Sequence, residues 1–142
     1  MTRSGRSGHL GTTARAALML AGLASATLGL ATPARADRCE VSQDPSPPSQ
    51  SEARIVFRNE SQFALRLYWS DFDGFLTPMG AWVQPGEDRW FTTYAGHAWF
   101  VEMNTPEGRL CRGPVSATSR RTCDVRVVYD DGMELNPHGC DS

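Results

Sequence analysis

Past residue 36 the chain holds two imidazoles, His97 and His138, and four thiols, Cys39, Cys111, Cys123 and Cys140. These are among the side chains able to act as base, nucleophile or metal ligand. On paper His97 joins Asp71 or Asp73 and one of many serines in a hydrolytic triad. No G-x-S-x-G elbow is present to expose a nucleophile, and a chain so rich in serine permits that grouping by composition alone. His138 stands in Pro137-His138-Gly139-Cys140, a turn-forming context. The acidic run Asp71-Phe72-Asp73-Gly74 is too short for a calcium loop. It reads as a turn in which Asp73 accepts backbone hydrogens before Gly74 takes positive φ. The cysteines lack the paired C-x2-C spacing that tethers zinc. The expectation is a non-catalytic chain with no metal and no cofactor.

The thiols gain meaning from the head of the chain. Residues 1–36 carry four arginines and no acid, with an apolar run over 16–30 and small residues in Ala34-Arg35-Ala36. That is the pattern of a secretory signal peptide cleaved after Ala36, giving a secreted, periplasmic or extracellular protein. A retained anchor needs about 20 uninterrupted apolar residues. In an oxidising compartment an even number of cysteines predicts two disulfides. The expected pairs are Cys111 with Cys123, closing a local loop, and Cys39 with Cys140, stapling the ends of the domain. The remaining 106 residues hold ten arginines against sixteen carboxylates, a formal net charge of −6. Such a body has no electrostatic footprint for nucleic acid or an anionic membrane, and it favours a neutral or basic partner. Its length fits one domain, expected to be monomeric.

Short strands must position these groups. Residues 37–53, with Pro45, Pro47 and Pro48, have too few apolar side chains to order themselves and read as a linker or arm. The folded domain is expected over residues 54–142. Ile55 and Phe57 share one face, and Leu65, Leu67 and Trp69 share another, with Arg66 and Tyr68 opposite; this period of two is that of a strand. A turn between residues 59 and 62 makes these two runs a candidate hairpin. Further strands are expected over 89–94, 98–103 and 124–129, while 109–123 is read as the least regular segment. Turn punctuation recurs at short intervals, and the structural turn positions are Asn59, Asp73, Gly74, Gly86 and Gly96. The pattern predicts an all-β fold, a small antiparallel sandwich stabilised by disulfides. Ten aromatic rings lie between residues 68 and 100, and alternation is expected to send Tyr68 and one of Trp99 and Phe100 outward. Exposed rings on a rigid sheet suit peptide or carbohydrate recognition.

Three stretches carry a resemblance. They are Ile55-Val56-Phe57-Arg58-Asn59-Glu60-Ser61, Leu67-Tyr68-Trp69-Ser70-Asp71-Phe72-Asp73-Gly74, and Thr93-Tyr94-Ala95-Gly96-His97-Ala98-Trp99, with Pro85-Gly86 between the last two. In this order and spacing the sequence resembles the beta domain of the von Hippel-Lindau tumour suppressor family, most clearly over residues 54–100. The resemblance implies a β-sandwich binding module that holds an extended peptide. In the family a 4-hydroxyproline enters an aromatic pocket, where a serine hydroxyl and a histidine bind the added hydroxyl. Trp69 and Trp99 match the pocket's tryptophans, His97 its histidine and Tyr94 its neighbouring tyrosine, while Thr93 stands at the serine position. The pocket's other tyrosine has no counterpart, Met79 or Gly80 occupying its place, and Thr92 replaces a neighbouring histidine. No helical alpha domain follows before Ser142, so elongin or ubiquitin-ligase assembly is not expected.

The expected function is therefore a secreted module for protein or peptide recognition, with hydroxyproline-containing peptides as the specific case. The ligand-binding residues are Trp69, Thr93, Tyr94, His97 and Trp99. A carbohydrate-binding module and a small hydrolase using His97 are the alternatives.

Overall fold

Alternation of apolar and polar residues is strongest in Glu52–Asn59, where Ala53, Ile55, Phe57 and Asn59 point inward and Arg54, Val56 and Arg58 point out. Only a half-buried strand uses such a period. In the computed structural model this is β1, the first of nine strands among the described residues: β2 Leu65–Ser70, β3 Leu76–Pro78, β4 Asp88–Tyr94, β5 Ala98–Thr105, β6 Gly108–Ala117, β7 Thr122–Tyr129, β8 Met133–His138 and β9 Cys140–Asp141. The structure describes Cys39, residues 44–119 and residues 121–141, among which there is no helix. The expected signal peptide lies outside the described residues.

The strands form two sheets, in the orders β4-β1-β7-β8 and β3-β2-β5-β6-β9. Their inner faces meet in one core built from Ile55 and Phe57, Leu65 and Leu67, Trp99, Val101 and Met103, and Val125 and Val127. Full burial of such side chains contributes about 1.5–3 kcal/mol each, which makes this interface the main source of stability. The domain is an all-β sandwich with two disulfides. One pair departs from the antiparallel pattern: β1 runs parallel to β7, with Ile55 opposite Cys123 and Phe57 opposite Val125.

Two other expectations change. β1 and β2 do not form a hairpin, because they lie in different sheets. The chain crosses between sheets at Asn59, whose buried amide donates to the carbonyls of Phe63 (2.8 Å) and Val83 (3.0 Å) while its oxygen accepts from the Ser61 backbone and hydroxyl. A side chain on β1 that satisfies backbone groups of the connecting loop and of Val83, which pairs with Leu65 of β2, fixes a crossover rather than a tight turn. The segment expected to be irregular is the long strand β6. It contains a bulge opposite Phe100, where the pairing with β5 shifts by one residue between Trp99 and Val101. Pro114, lacking an N–H, is tolerated there. Gly113 is required by close approach, since a Cβ at that position would lie 2.7 Å from the Trp99 carbonyl oxygen and from the Phe100 ring.

The disulfides join Cys39 to Cys111 and Cys123 to Cys140, replacing both expected pairs. Cys123 points into the core from β7 and meets Cys140 on β9, so that bond links the two sheets. Cys39 ties the arm to β6 on the outer face of the five-stranded sheet. There it packs with Ala98 and Phe100 in a small second core, flanked by Tyr68 and Leu76. Phe100 is therefore buried rather than exposed, and the arm is held rather than free. Its few apolar groups suffice because a covalent bond and buried hydrogen bonds from Ser46 supply the rest.

Candidate functional site

The inward face of β2 ends at Trp69, which lies directly opposite Trp99 on β5 and Thr77 on β3. Facing them from the other sheet, β4 turns Phe91 and Thr93 inward and Tyr94 outward. The turn between β4 and β5 presents His97; its N–H donates to the Tyr94 carbonyl at 3.1 Å, and Gly96 takes a φ of 82°. An L residue at that φ would be strained, so glycine is what allows the tight approach of His97 to β4. One end of the sandwich thus gathers all five residues singled out from the sequence.

They do not play equal parts. Trp99 is 2% exposed and stacks on Phe91 with ring centroids 4.8 Å apart. Its indole N–H donates to the Thr93 hydroxyl at 3.2 Å, and Thr93 is 4% exposed. Both belong to the floor beneath the site, with polar groups already paired. Above them His97 stacks on Trp69, centroids 5.6 Å apart and planes at 29°. Tyr94 flanks His97 at 5.4 Å, and Phe72 sets its edge against both Trp69 (5.5 Å) and His97 (5.7 Å). Phe72 was not among the residues picked from the sequence, and it is 59% exposed. It is held by the Asp71 carboxylate, which accepts from the N–H groups of Asp73 (3.0 Å) and Phe75 (2.8 Å). The acceptor in this turn is therefore Asp71, not Asp73, because an Asx-turn side chain serves the backbone two residues ahead. The signal for Phe72 was present in that turn: an aromatic ring three residues beyond Trp69, carried by a rigid loop. Met79, one of the two residues at the place of the absent tyrosine, packs against the core.

Two polar atoms in this ring cluster have no hydrogen-bond partner although they are buried: Nε1 of Trp69 and Nε2 of His97. His97 is 5% exposed, and burial pushes its pKa below the ordinary 6.5 because the charged ring loses water. A backbone hydrogen bond to Pro47 offsets part of that shift. A histidine depressed in this way binds fewer protons folded than unfolded. Its share of stability is complete above pH 6.5 and declines as pH falls through 6.5 toward the folded value. Thermal melts from pH 8 to pH 5 should show the protein losing stability below pH 6.5 relative to a His97→Asn variant. Parallel curves for the two proteins would show that His97 is not held neutral.

Among the described residues, no group of three or more histidine, cysteine or acidic side chains is placed to hold a metal ion. Residues 45–111, which contain the whole ring cluster, match the family model described as the VHL beta domain. This segment belongs to the VHL beta domain family. The VHL beta domain match begins in the arm, takes in β1 to β5 and the ring cluster, and ends at Cys111 inside β6. β7, β8, β9 and the second disulfide complete the sandwich beyond it. No curated protein matches the chain. Among solved structures it is similar to one described as the human-specific toxin intermedilysin, at 10% identity and a TM-score of 0.39. That likeness covers 61% of this chain and 23% of the toxin chain, so the chain spans about a quarter of that protein's length.

Proposed function

We propose that the protein is an exported VHL beta domain that binds an extended peptide, with a hydroxyl-bearing residue such as hydroxyproline entering the cluster of Trp69, Phe72, Tyr94 and His97. The family is one of non-catalytic protein-binding domains. The observation that carries the finer reading is the pair of unpartnered nitrogens on the stacked Trp69 and His97 rings. An unpaired buried polar group costs about 1–3 kcal/mol. A hydroxyl both accepts, as the indole N–H requires, and donates, as a neutral imidazole nitrogen requires. Aromatic walls exclude water, so the cost returns if plain proline enters instead.

Two sequence-level alternatives have weaker support. A triad needs the imidazole bonded on both sides, to a carboxylate and to a nucleophile. His97 has no partner at Nε2 and a backbone partner at Pro47. A sugar stacked on Trp99 would need a ring that is here buried in the core. Export rests on the arginine-led apolar head of the sequence and agrees with two disulfides, which persist in oxidising compartments.

Calorimetry with paired peptides, identical but for proline or 4-hydroxyproline, tests this function. The hydroxylated peptide is expected to bind about 5- to 150-fold more tightly, the equivalent of about 1–3 kcal/mol. Equal affinity for the two, or none for either, overturns hydroxyproline recognition.

A further inference from the structure

Away from the ring cluster, the outer face of the four-stranded sheet carries a second group of side chains that the peptide reading leaves idle. Strand alternation turns Glu52 and Arg54 of β1 outward, with Trp90 and Thr92 of β4 and Thr122 of β7. Together with Arg121, in the turn before β7, they line one depression. Thr92 and Thr122 lie directly opposite Arg54 on its two sides. A hydroxyl, a guanidinium and a hydroxyl thus form a row across three strands, about 10 Å from end to end. Trp90 is 57% exposed, a large apolar ring left in water. The Arg54 guanidinium lies over that ring, 4.4 Å from its centroid.

The pairing of the arginines sets this depression apart. Further along the same face, Arg58 pairs with Asp88 and Asp124, and Arg126 pairs with Glu60. Neither Arg54 nor Arg121 forms an ion pair among the described residues. Glu52 is the one acid lining the depression, which therefore carries +1 within a body that carries −6. The patch reverses the sign of the surface around it and holds guanidinium donors that lack an acidic acceptor.

Unpaired guanidinium groups call for an anion, which arginine binds through paired N–H groups. Glu52 only accepts, so the ligand needs a donor beside it, and the two threonine hydroxyls serve either way. An exposed indole calls for an apolar ring face. A free carboxylate supplies only the first of these, and an acidic peptide lacks the run of hydroxyl donors. A sugar acid carries all three in its carboxylate, its hydroxyls and the C–H face of its ring. A row about 10 Å long calls for linked units rather than one small anion.

We propose that this face is a binding site for an acidic polysaccharide. Trp90 stacks on a sugar ring, Arg54 and Arg121 hold carboxylates, and Glu52, Thr92 and Thr122 bind hydroxyls. The site is independent of the peptide reading, since it shares no residue with the ring cluster.

Titration of the nitrogen-15-labelled protein with a galacturonic acid hexasaccharide, followed by two-dimensional NMR, tests the site. The indole N–H of Trp90 and the Nε–H groups of Arg54 and Arg121 are expected to shift together. Arg54→Gln and Arg121→Gln are each expected to weaken binding about tenfold through the loss of charge-assisted hydrogen bonds. Trp90→Ala is expected to weaken it at least about fivefold through the lost ring contact. These side chains are exposed, so the variants keep the fold. Arg126→Gln removes an arginine already paired with Glu60 and is expected to leave affinity within about twofold. No shift at millimolar sugar, shifts confined to other residues, or an equal loss in Arg126→Gln overturns the site. An uncharged galactose hexasaccharide is expected to bind at least about tenfold more weakly. Equal binding of that neutral sugar, or of hexaglutamate, overturns the assignment to a sugar acid.

Discussion

Replacing Cys39 and Cys111 together with alanine is expected to lower the free energy of unfolding by about 4 kcal/mol. The bond spans 72 residues, from the arm to β6. On the chain-entropy account a closed loop of that length removes about 4 kcal/mol of freedom from the unfolded chain. Cys123–Cys140, with a separation of 17, is worth about 3 kcal/mol on the same account. A domain of this size has a total stability of roughly 5–15 kcal/mol, so either loss is a large fraction. Urea denaturation of the double variant, with the second bond intact, gives the measurement. A loss below about 1 kcal/mol would mean that the arm opens without the sandwich and that the bond lies outside the cooperative unit. Mass mapping of an unreduced digest checks the connectivity: fragments joined through Cys39 and Cys111 are expected, and fragments joined through Cys111 and Cys123 would contradict the fold.

Trp99→Ala is expected to cost about 3–5 kcal/mol, the usual range for removing a large buried ring. The substitution empties the space between Phe91 and Phe57 and leaves the Thr93 hydroxyl without the indole donor. Phe72→Ala should behave in the opposite way. Its ring is largely in water, so stability changes by less than about 1 kcal/mol. Affinity for the hydroxyproline peptide falls all the same, because the edge that covers Trp69 and His97 is gone. Denaturation and calorimetry on both variants divide the cluster into floor and wall. A stable Trp99→Ala protein that simply fails to bind would return Trp99 to the ligand surface.

These variants also show how far the residues could be read in one dimension. Inward and outward positions of β2 follow from strict alternation, since Leu65, Leu67 and Trp69 must share a face in any strand. Convergence of His97 and Trp69 was legible through a family motif, and the structure brings them into a ring stack. What alternation does not carry is the identity of the layer that covers each face. Phe100 points away from the main core, as its parity requires, yet it is buried because the arm lies over it. Loop length favoured pairing Cys111 with Cys123, but Cys123 lies in the main core while Cys111 packs in the second cluster beneath the arm. Thr93 looked like a ligand-facing hydroxyl, and only the position of the Trp99 indole shows where its bond goes. Phe72 gained its place through Asp71, whose side chain could have served any of several nearby backbone groups.

By itself the amino-acid sequence determined the strand-forming alternation, the number of cysteines, the charge of the body and the motif that gathers a histidine with aromatic rings. Each is a property of neighbouring residues or of composition, set by local sterics and by the period of an extended chain. Tertiary structure alone decided which cysteines meet, which rings are floor and which are wall, and that a proline-rich arm supplies the hydrogen bonds behind His97. Those outcomes depend on contacts between residues far apart in the chain, such as Ser46 with Ala98 or Cys39 with Cys111, and no local preference encodes them.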